Sequence, residues 1–308
     1  ALAVVLSVAF VTGTLVTTRL IDGALGSLIT SNAAGVSTVV RTANAQETPF
    51  GQPLRAPVDP AVFDLVSGAR GVRSAVPHVL GYPTLIDANG ERSQVAMGPP
   101  TFVENWVDDD SLRGASLLSG EPTRGPNDVV MTPHTAKRLG FAVGDEIQVA
   151  FPTGVQRLHL VGIASIVDSD DNVLSGPDVV LMRLDRLMEL LDKSGYDDIH
   201  LAATEGTSAE QLTATISSIL SPELEAVTGE QYADETVESI TGIIDSIAKP
   251  VLAFAFVAVF VGVFVIYNTF SIIVAQRIRE LALLRAVGAS RRQILGSVLG
   301  EALVLGMV

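Results

Sequence analysis

Between Lys249 and Arg277 the chain carries no charged side chain, only the run PVLAFAFVAVFVGVFVIYNTFSIIVAQ. As a helix at 1.5 Å per residue this run is roughly 40 Å long, enough to cross a hydrocarbon core of ~30 Å with tilt to spare. Residues 250–276 are therefore read as a transmembrane helix, and everything else is arranged around it. Straight after it stand Arg277, Arg279, Arg285, Arg291 and Arg292 against one acid, Glu280. An excess of arginine at a short membrane exit marks the cytoplasmic side, so the body that precedes the span lies outside.

That body is acidic. The whole chain of 308 residues has a net charge of −14, and the stretch 277–308, with five arginines and two glutamates, leaves −17 for the remainder. Nucleic acid is bound by Lys and Arg neutralising phosphates, so such a body is excluded as a nucleic-acid partner. Cysteine is absent, which removes disulfides and every Cys-based metal or nucleophilic site. Arginine far outnumbers lysine and Ala, Val and Gly abound, the composition of a high-GC bacterial genome. The chain starts in an apolar run without Met and stops in another, so it is read as a piece of a longer polypeptide.

The N-terminal run ALAVVLSVAFVTGTLVTT lacks a visible basic region in front of it, which a cleaved signal needs; residues 1–19 are read as a first transmembrane helix. Leu20, Ile21, Leu25, Leu28 and Ile29 keep three-and-four spacing, which extends that helix above the membrane as an ascending stalk over 20–45. The descending partner, 232–249, has Val237, Ile240, Ile244, Ile247 and Val251 stepping by 3, 4, 3, 4, with Asp234, Glu235, Glu238 and Asp245 on other faces. This is a coiled-coil-like seam running into the second span; the same spacing also suits an amphipathic helix packed on its own domain.

Between the stalks, residues 46–231 alternate strands with short capped helices. Asp59 before Pro60 reads as N-cap and N1, and Thr132 with Pro133 opens a second helix that Gly140 ends. A hairpin follows (DEIQVAF, PTG, VQRLHLVGIA), then a strand PDVVLM, a helix RLDRLMELL, a strand DDIHLAAT, a capping box at Ser208 and Gln211, and a strand LEAVT. The turn Asp87-Ala88-Asn89-Gly90 joins two strands, and Trp106 beside Asp108, Asp109 and Asp110 is read as one buried ring in a surface loop. The alternation predicts an α+β domain with βαβ-like units.

Motifs for catalysis are missing. No GxxxxGK[ST] occurs, and Lys137, Lys193 and Lys249 never follow Gly, so nothing cradles nucleotide phosphates. There is no GxSxG and no HExxH; His78, His134, His159 and His200 are scattered and are read as structural or surface residues. The cluster Asp168-Ser169-Asp170-Asp171-Asn172 begins like a calcium loop but has Val173 where Gly is needed and Val179 where Glu is needed. No enzyme, cofactor or metal is expected in this chain.

What remains is the basic segment 277–293. Its arginines fall on widely different helical faces, unlike a helix lying on lipid. Gly288 reads as the C′ residue of one helix, and Ser290 with Gln293 as the capping box of the next, which becomes apolar at Ile294 and enters a third span over 294–308. The arginines alone would serve to fix topology and bind anionic headgroups; the structured turn suits a part that fits a protein surface.

RIRELALLRAVGASRRQILGSVLGEAL resembles the segment after the second span of FtsX/MacB-like ABC permeases, with R-x-R-E-x-x-x-x-R-A-x-G-A-S falling on Arg277, Arg279, Glu280, Arg285, Ala286, Gly288, Ala289 and Ser290. GEPTRGPNDVVMTPHTAKRLGFAVGDEIQVAF, from Gly120 to Phe151, is similar to the middle of the MacB-like periplasmic core domain. The resemblance implies a multi-pass bacterial inner-membrane protein in which two spans and the start of a third bracket a large extracytoplasmic α+β domain on a helical stalk. It implies an ABC ATPase subunit as partner, holding ATP and magnesium, and contacts to it through Arg277, Arg279, Glu280, Arg285, Gly288, Ala289, Ser290 and Arg291. A second permease copy or second half, membrane lipid, and an extracytoplasmic substrate or effector protein are the other implied partners. The implied work is export or extraction of a lipoprotein, peptide or hydrophobic compound by mechanotransmission; the alternative is a membrane-anchored receptor or regulator of cell-wall hydrolases that transports nothing.

Overall fold

A computed structural model describes residues 12–13, 35–47, 53–92, 101–166 and 178–307. All of the first span expected over 1–19 except residues 12–13, most of the ascending stalk and the aspartate cluster at 168–172 lie outside these residues, as do the side chains of 240, 243–248, 280, 299 and 301–307. The chain forms two compact units, 22–243 and a second made of 1–21 with 244–308.

The elements of the larger unit are, in chain order, β1 (Thr38–Thr42), β2 (Ala45–Glu47), β3 (Pro53–Arg55), α1 (Pro60–Ser67), β4 (Val72–His78), β5 (Leu80–Gly81), β6 (Thr84–Ile86), β7 (Phe102–Asn105), β8 (Ser116–Gly120) and β9 (Asp128–Met131). They continue with α2 (Pro133–Leu139), β10 (Glu146–Phe151), β11 (Gly154–Ser165), β12 (Val179–Met182), α3 (Leu184–Leu191), β13 (Asp198–Ala203), α4 (Ala209–Ser217) and β14 (Leu224–Thr228). A helix α5 (Gly229–Gln276) leads out of this unit, followed by α6 (Ile278–Ala286) and α7 (Arg291–Met307).

An antiparallel sheet of order β14-β1-β13-β4 sets Val39 opposite both His200 and Val227. Because side chains alternate across a strand, Val40, Ile199 and Leu201 point one way and bury completely against Val66 of α1 and Leu212 and Ile216 of α4. The opposite face carries Val39, Ala202 and Val227, and in the same alternation Arg41, Asp198 and His200. A mixed sheet of order β5-β7-β12-β9-β11-β10-β6, with β8 on β11, forms the second layer. Met131, Leu158, Leu160 and Met182 fill its core against Leu139 of α2 and Leu187 and Leu190 of α3.

The short helices are held by the caps the sequence predicts. Asp59 accepts the Ala61 amide at 2.8 Å with Pro60 at the first position, and α2 starts at the Thr132 cap and ends at Gly140 with φ +77°. Ser208 and Gln211 bond reciprocally, side chain to backbone, at 3.2 and 3.1 Å. Removing such a cap costs about 1 kcal/mol, so Ser208→Ala is expected to lower the unfolding free energy by about that much, read as a shifted denaturant midpoint with an unchanged slope.

One expectation is corrected. Within the helix expected over 20–45, Thr38–Thr42 form a strand, so the α+β body already includes Val36–Thr42, ahead of the expected start at residue 46. Val-Ser-Thr-Val-Val-Arg-Thr is a β-branched run that favours extended backbone, and its Val39 and Val40 are fully buried in two different clusters. A helix would have put these neighbours on one side.

The descending stalk and the second span form one unbroken helix of 48 residues that passes through Pro250. Its segment Lys249–Gln276 has the length, 28 residues, and the mean hydropathy, 2.6, of a membrane span, and only 11% of its most apolar window is buried. Among the described residues it is the one helix that meets this test.

Candidate functional site

The basic segment is a helix–turn–helix. Arg277, with φ −93° and ψ 5°, separates α5 from α6. At the far end the Gly288 amide donates to the Arg285 carbonyl at 3.2 Å and the Ala289 amide to Leu284 at 3.0 Å, while Gly288 adopts φ +106°, a left-handed conformation that favours glycine. The Ser290 amide then donates to Gln293 Oε1 at 2.9 Å and the Gln293 amide to Ser290 Oγ at 3.4 Å, which opens α7. The turn at Gly288, Ala289 and Ser290 therefore forms as its residues predict. Arg279, Arg285, Arg291 and Arg292 are exposed, and so are Leu283, Leu284 and Val287. Cations interleaved with bare apolar side chains suit contact with another macromolecule; the side chain of Glu280 lies outside the described residues.

Of the stalk seam, Val237 and Val251 are half-buried. The side chains of Ile240, Ile244 and Ile247 are not among those described.

At the other end of α5, the helix is docked onto the polar face of the four-stranded sheet. Tyr232 donates to Asp198 Oδ2 at 3.0 Å, and Arg41 of β1, nearly buried, donates through Nε to Glu225 of β14 at 2.8 Å and also pairs with Glu235 of α5. The Arg41 guanidinium stands 5.9 Å from the Tyr232 ring centre. Asp198 is the centre of a denser group. His78 lies directly across the strand pair from it, with Nδ1 3.1 Å from Asp198 Oδ1, and His200 Nε2 is 2.9 Å from the same oxygen. The two imidazoles stack at 5.0 Å.

The electrostatics follow from this packing. Burial favours neutral His78, but the Asp198 carboxylate, with Glu104 and Asp197 beyond it, outweighs burial and raises the imidazole to about 9. Burial likewise disfavours the Asp198 anion, and the two histidines outweigh it, so the carboxyl sits far below its ordinary value. Tyr232 is pushed up, first by burial and then by Asp198.

This group corrects the view of the histidines as scattered. His134 and His159 remain apart from it, whereas His78 and His200 meet at one carboxylate. The local signal was Asp198-x-His200, two polar residues on one side of a strand whose alternate positions, Ile199 and Leu201, are apolar. The third member comes from a strand 120 residues away, which no spacing reveals. Trp106, by contrast, is buried as expected, with Nε1 on Asp108 at 3.1 Å and Arg113 over its ring.

An α+β body grips the first turns of a helix that runs on through an apolar segment of membrane-spanning length into a basic helix–turn–helix. Residues 1–219 match the MacB-like periplasmic core domain and residues 252–308 the FtsX-like permease C-terminal region. The chain belongs to the FtsX/MacB-like family of ABC transporter permeases. An uncharacterized ABC transporter permease protein of Mycobacterium tuberculosis is 28% identical over 287 residues, which cover 87% of this chain and 32% of that protein; the chain thus spans about a third of its relative's length. Among solved structures, the periplasmic region of MacB from Actinobacillus actinomycetemcomitans matches at 11% identity and a TM-score of 0.48, over 67% of this chain and 94% of that one. The extracellular domain of the noncanonic ABC-type transporter YknZ from Gram-positive bacteria matches at 10% identity and 0.44, over 62% and 99%.

Proposed function

We propose that this chain is the force-transmitting part of an FtsX/MacB-type permease, in which a separate ATPase subunit, carrying ATP and magnesium, pushes on the turn around Gly288 and moves the extracytoplasmic domain. The movement serves export or extraction of a lipoprotein, peptide or hydrophobic compound from the outer side of the bacterial inner membrane. The observation that carries this reading is α5: one helix without a break, gripped at its first turns by Asp198 and Arg41 and leading to the basic turn. A linker between domain and span would dissipate displacement; a continuous helix passes it on.

Arg279 and Arg285 are proposed to meet the ATPase, with Glu280, Ser290 and Arg291 on the same segment. The full-length protein carrying Arg279→Glu with Arg285→Glu is expected to recover at least tenfold less of a Walker-motif ATPase on affinity purification, and to lose stimulation of ATP hydrolysis on reconstitution, while still inserting in the membrane. Undiminished recovery and stimulation would show that the arginines set topology alone.

A further inference from the structure

We infer that His78, Asp198 and His200 form a binding site for one divalent transition-metal cation, of the zinc or cobalt type, beside the base of α5. One potential ligand atom from each of the three residues lies within 4.8 Å of the other two. Zinc bonds to nitrogen and oxygen are about 2.0–2.2 Å, so ligand atoms on a tetrahedron stand about 3.3 Å apart. The observed spacings from Asp198 Oδ1, 3.1 and 2.9 Å, are within a few tenths of an ångström of that edge.

Three further features separate this arrangement from an ordinary ion triad. His200 Nε2 is buried and makes no hydrogen bond, although Asp198 Oδ1 is 2.9 Å away. Next, the far oxygen of Asp198 is held in place, and a carboxylate stands behind His78. Tyr232 donates to Asp198 Oδ2 at 3.0 Å, and Glu104 Oε2 is 4.0 Å from His78 Nε2. A carboxylate behind a histidine and a donor on the far oxygen of a carboxylate are the partners that orient metal ligands.

Charge balance is the third feature. Asp198 and Glu104 face the site with two negative charges, while Asp197 is neutralised by Lys193 at 2.5 Å and Arg41 is turned to Glu225 and Glu235. Two carboxylates with two imidazoles match a dication once the cation has displaced the proton held on His78. The side chains of His78, His200 and Asp198 are 19, 15 and 9% exposed, so the group is largely shielded from solvent. Since Asp198 also holds Tyr232, a cation here fastens β4, β13 and α5 together.

The test uses the full chain in detergent, stripped with a chelator, reloaded with zinc alone and dialysed. Elemental analysis is expected to find about one zinc per chain, with loss of at least three-quarters of it in His78→Gln and His200→Gln and no change in His159→Gln, whose histidine is exposed elsewhere. Cobalt(II) titrated into the unaltered chain is expected to give the visible absorption of a four- or five-coordinate nitrogen-oxygen site, a readout that does not depend on any variant folding. Zinc below one-tenth per chain, retention unchanged in both histidine variants, or a cobalt spectrum identical to the aqueous ion would each overturn the site.

Discussion

Replacing Arg41 with Met is expected to destabilise the extracytoplasmic domain by roughly 2–3 kcal/mol and to loosen the first turns of α5. The guanidinium is 8% exposed and joins two carboxylates from different elements, Glu225 of β14 and Glu235 of α5. Breaking a buried pair by removing one partner typically costs 3–5 kcal/mol. Here the stranded acids are 35 and 39% exposed, so water recovers part of that loss, and Arg55 still reaches Glu225 at 2.9 Å. Calorimetry of the full chain reads the cost, and faster amide exchange confined to 230–236 reads the loosening.

The pH dependence fixes the sign. Burial pushes the Glu235 carboxyl up, but hydrogen bonds from Arg41 and Gln231 and the Arg41 charge pull it further down. A carboxyl depressed in the folded state contributes stability that is fully present above its unfolded value, about 4.3, and is lost as pH falls through the folded one. The gap between the natural chain and Arg41→Met is therefore expected to be constant around neutrality and to narrow in that acid window. A gap unchanged on acidification would mean that the guanidinium acts through packing alone.

Gly229→Ala is expected to act at the same junction by a different route. A methyl group on Gly229 would stand 2.0 Å from the Val36 carbonyl oxygen and 3.0 Å from its carbon, both backbone atoms that no rotamer change can move. Either β1 or the start of α5 must shift, at a cost of about 1–3 kcal/mol by analogy with overpacked cores, with weakening of the bond from the Gly229 amide to Ser37, now 3.1 Å. Gly242→Ala provides the contrast, since its added carbon meets nothing within 4 Å; there the gain in helix propensity, about 0.8–1.0 kcal/mol, is expected to stabilise. Equal midpoints for the two variants would refute the crowding.

The features legible from the sequence are those settled within a few residues. Asp59 with Pro60, Thr132 with Gly140, Ser208 with Gln211, and Gly288 with Ser290 each mark a helix end through contacts made inside one turn. The membrane-length part of α5 is legible for the same reason, as hydropathy is a local sum. Thr38–Thr42 was not, because the stretch ahead of it keeps helical spacing and its own fate depends on β13 and β14, more than 150 residues away. The Asp198 group was hidden by the same physics: pairing between β4 and β13 is decided by sheet register, and no motif spacing encodes that.

The pairing of β1 with β14 sets Thr38 beside Thr228. The chain therefore enters and leaves the sheet layer at one place, a hydrogen bond apart. Seen from the flanking segments, residues 37–228 are a closed excursion, and domains whose ends meet are those that tolerate transplantation. A few-residue bridge from Ser37 to Gly229 would span the same gap, so the body can be deleted, or exchanged for another domain with adjacent termini, without altering the separation of the segments on either side.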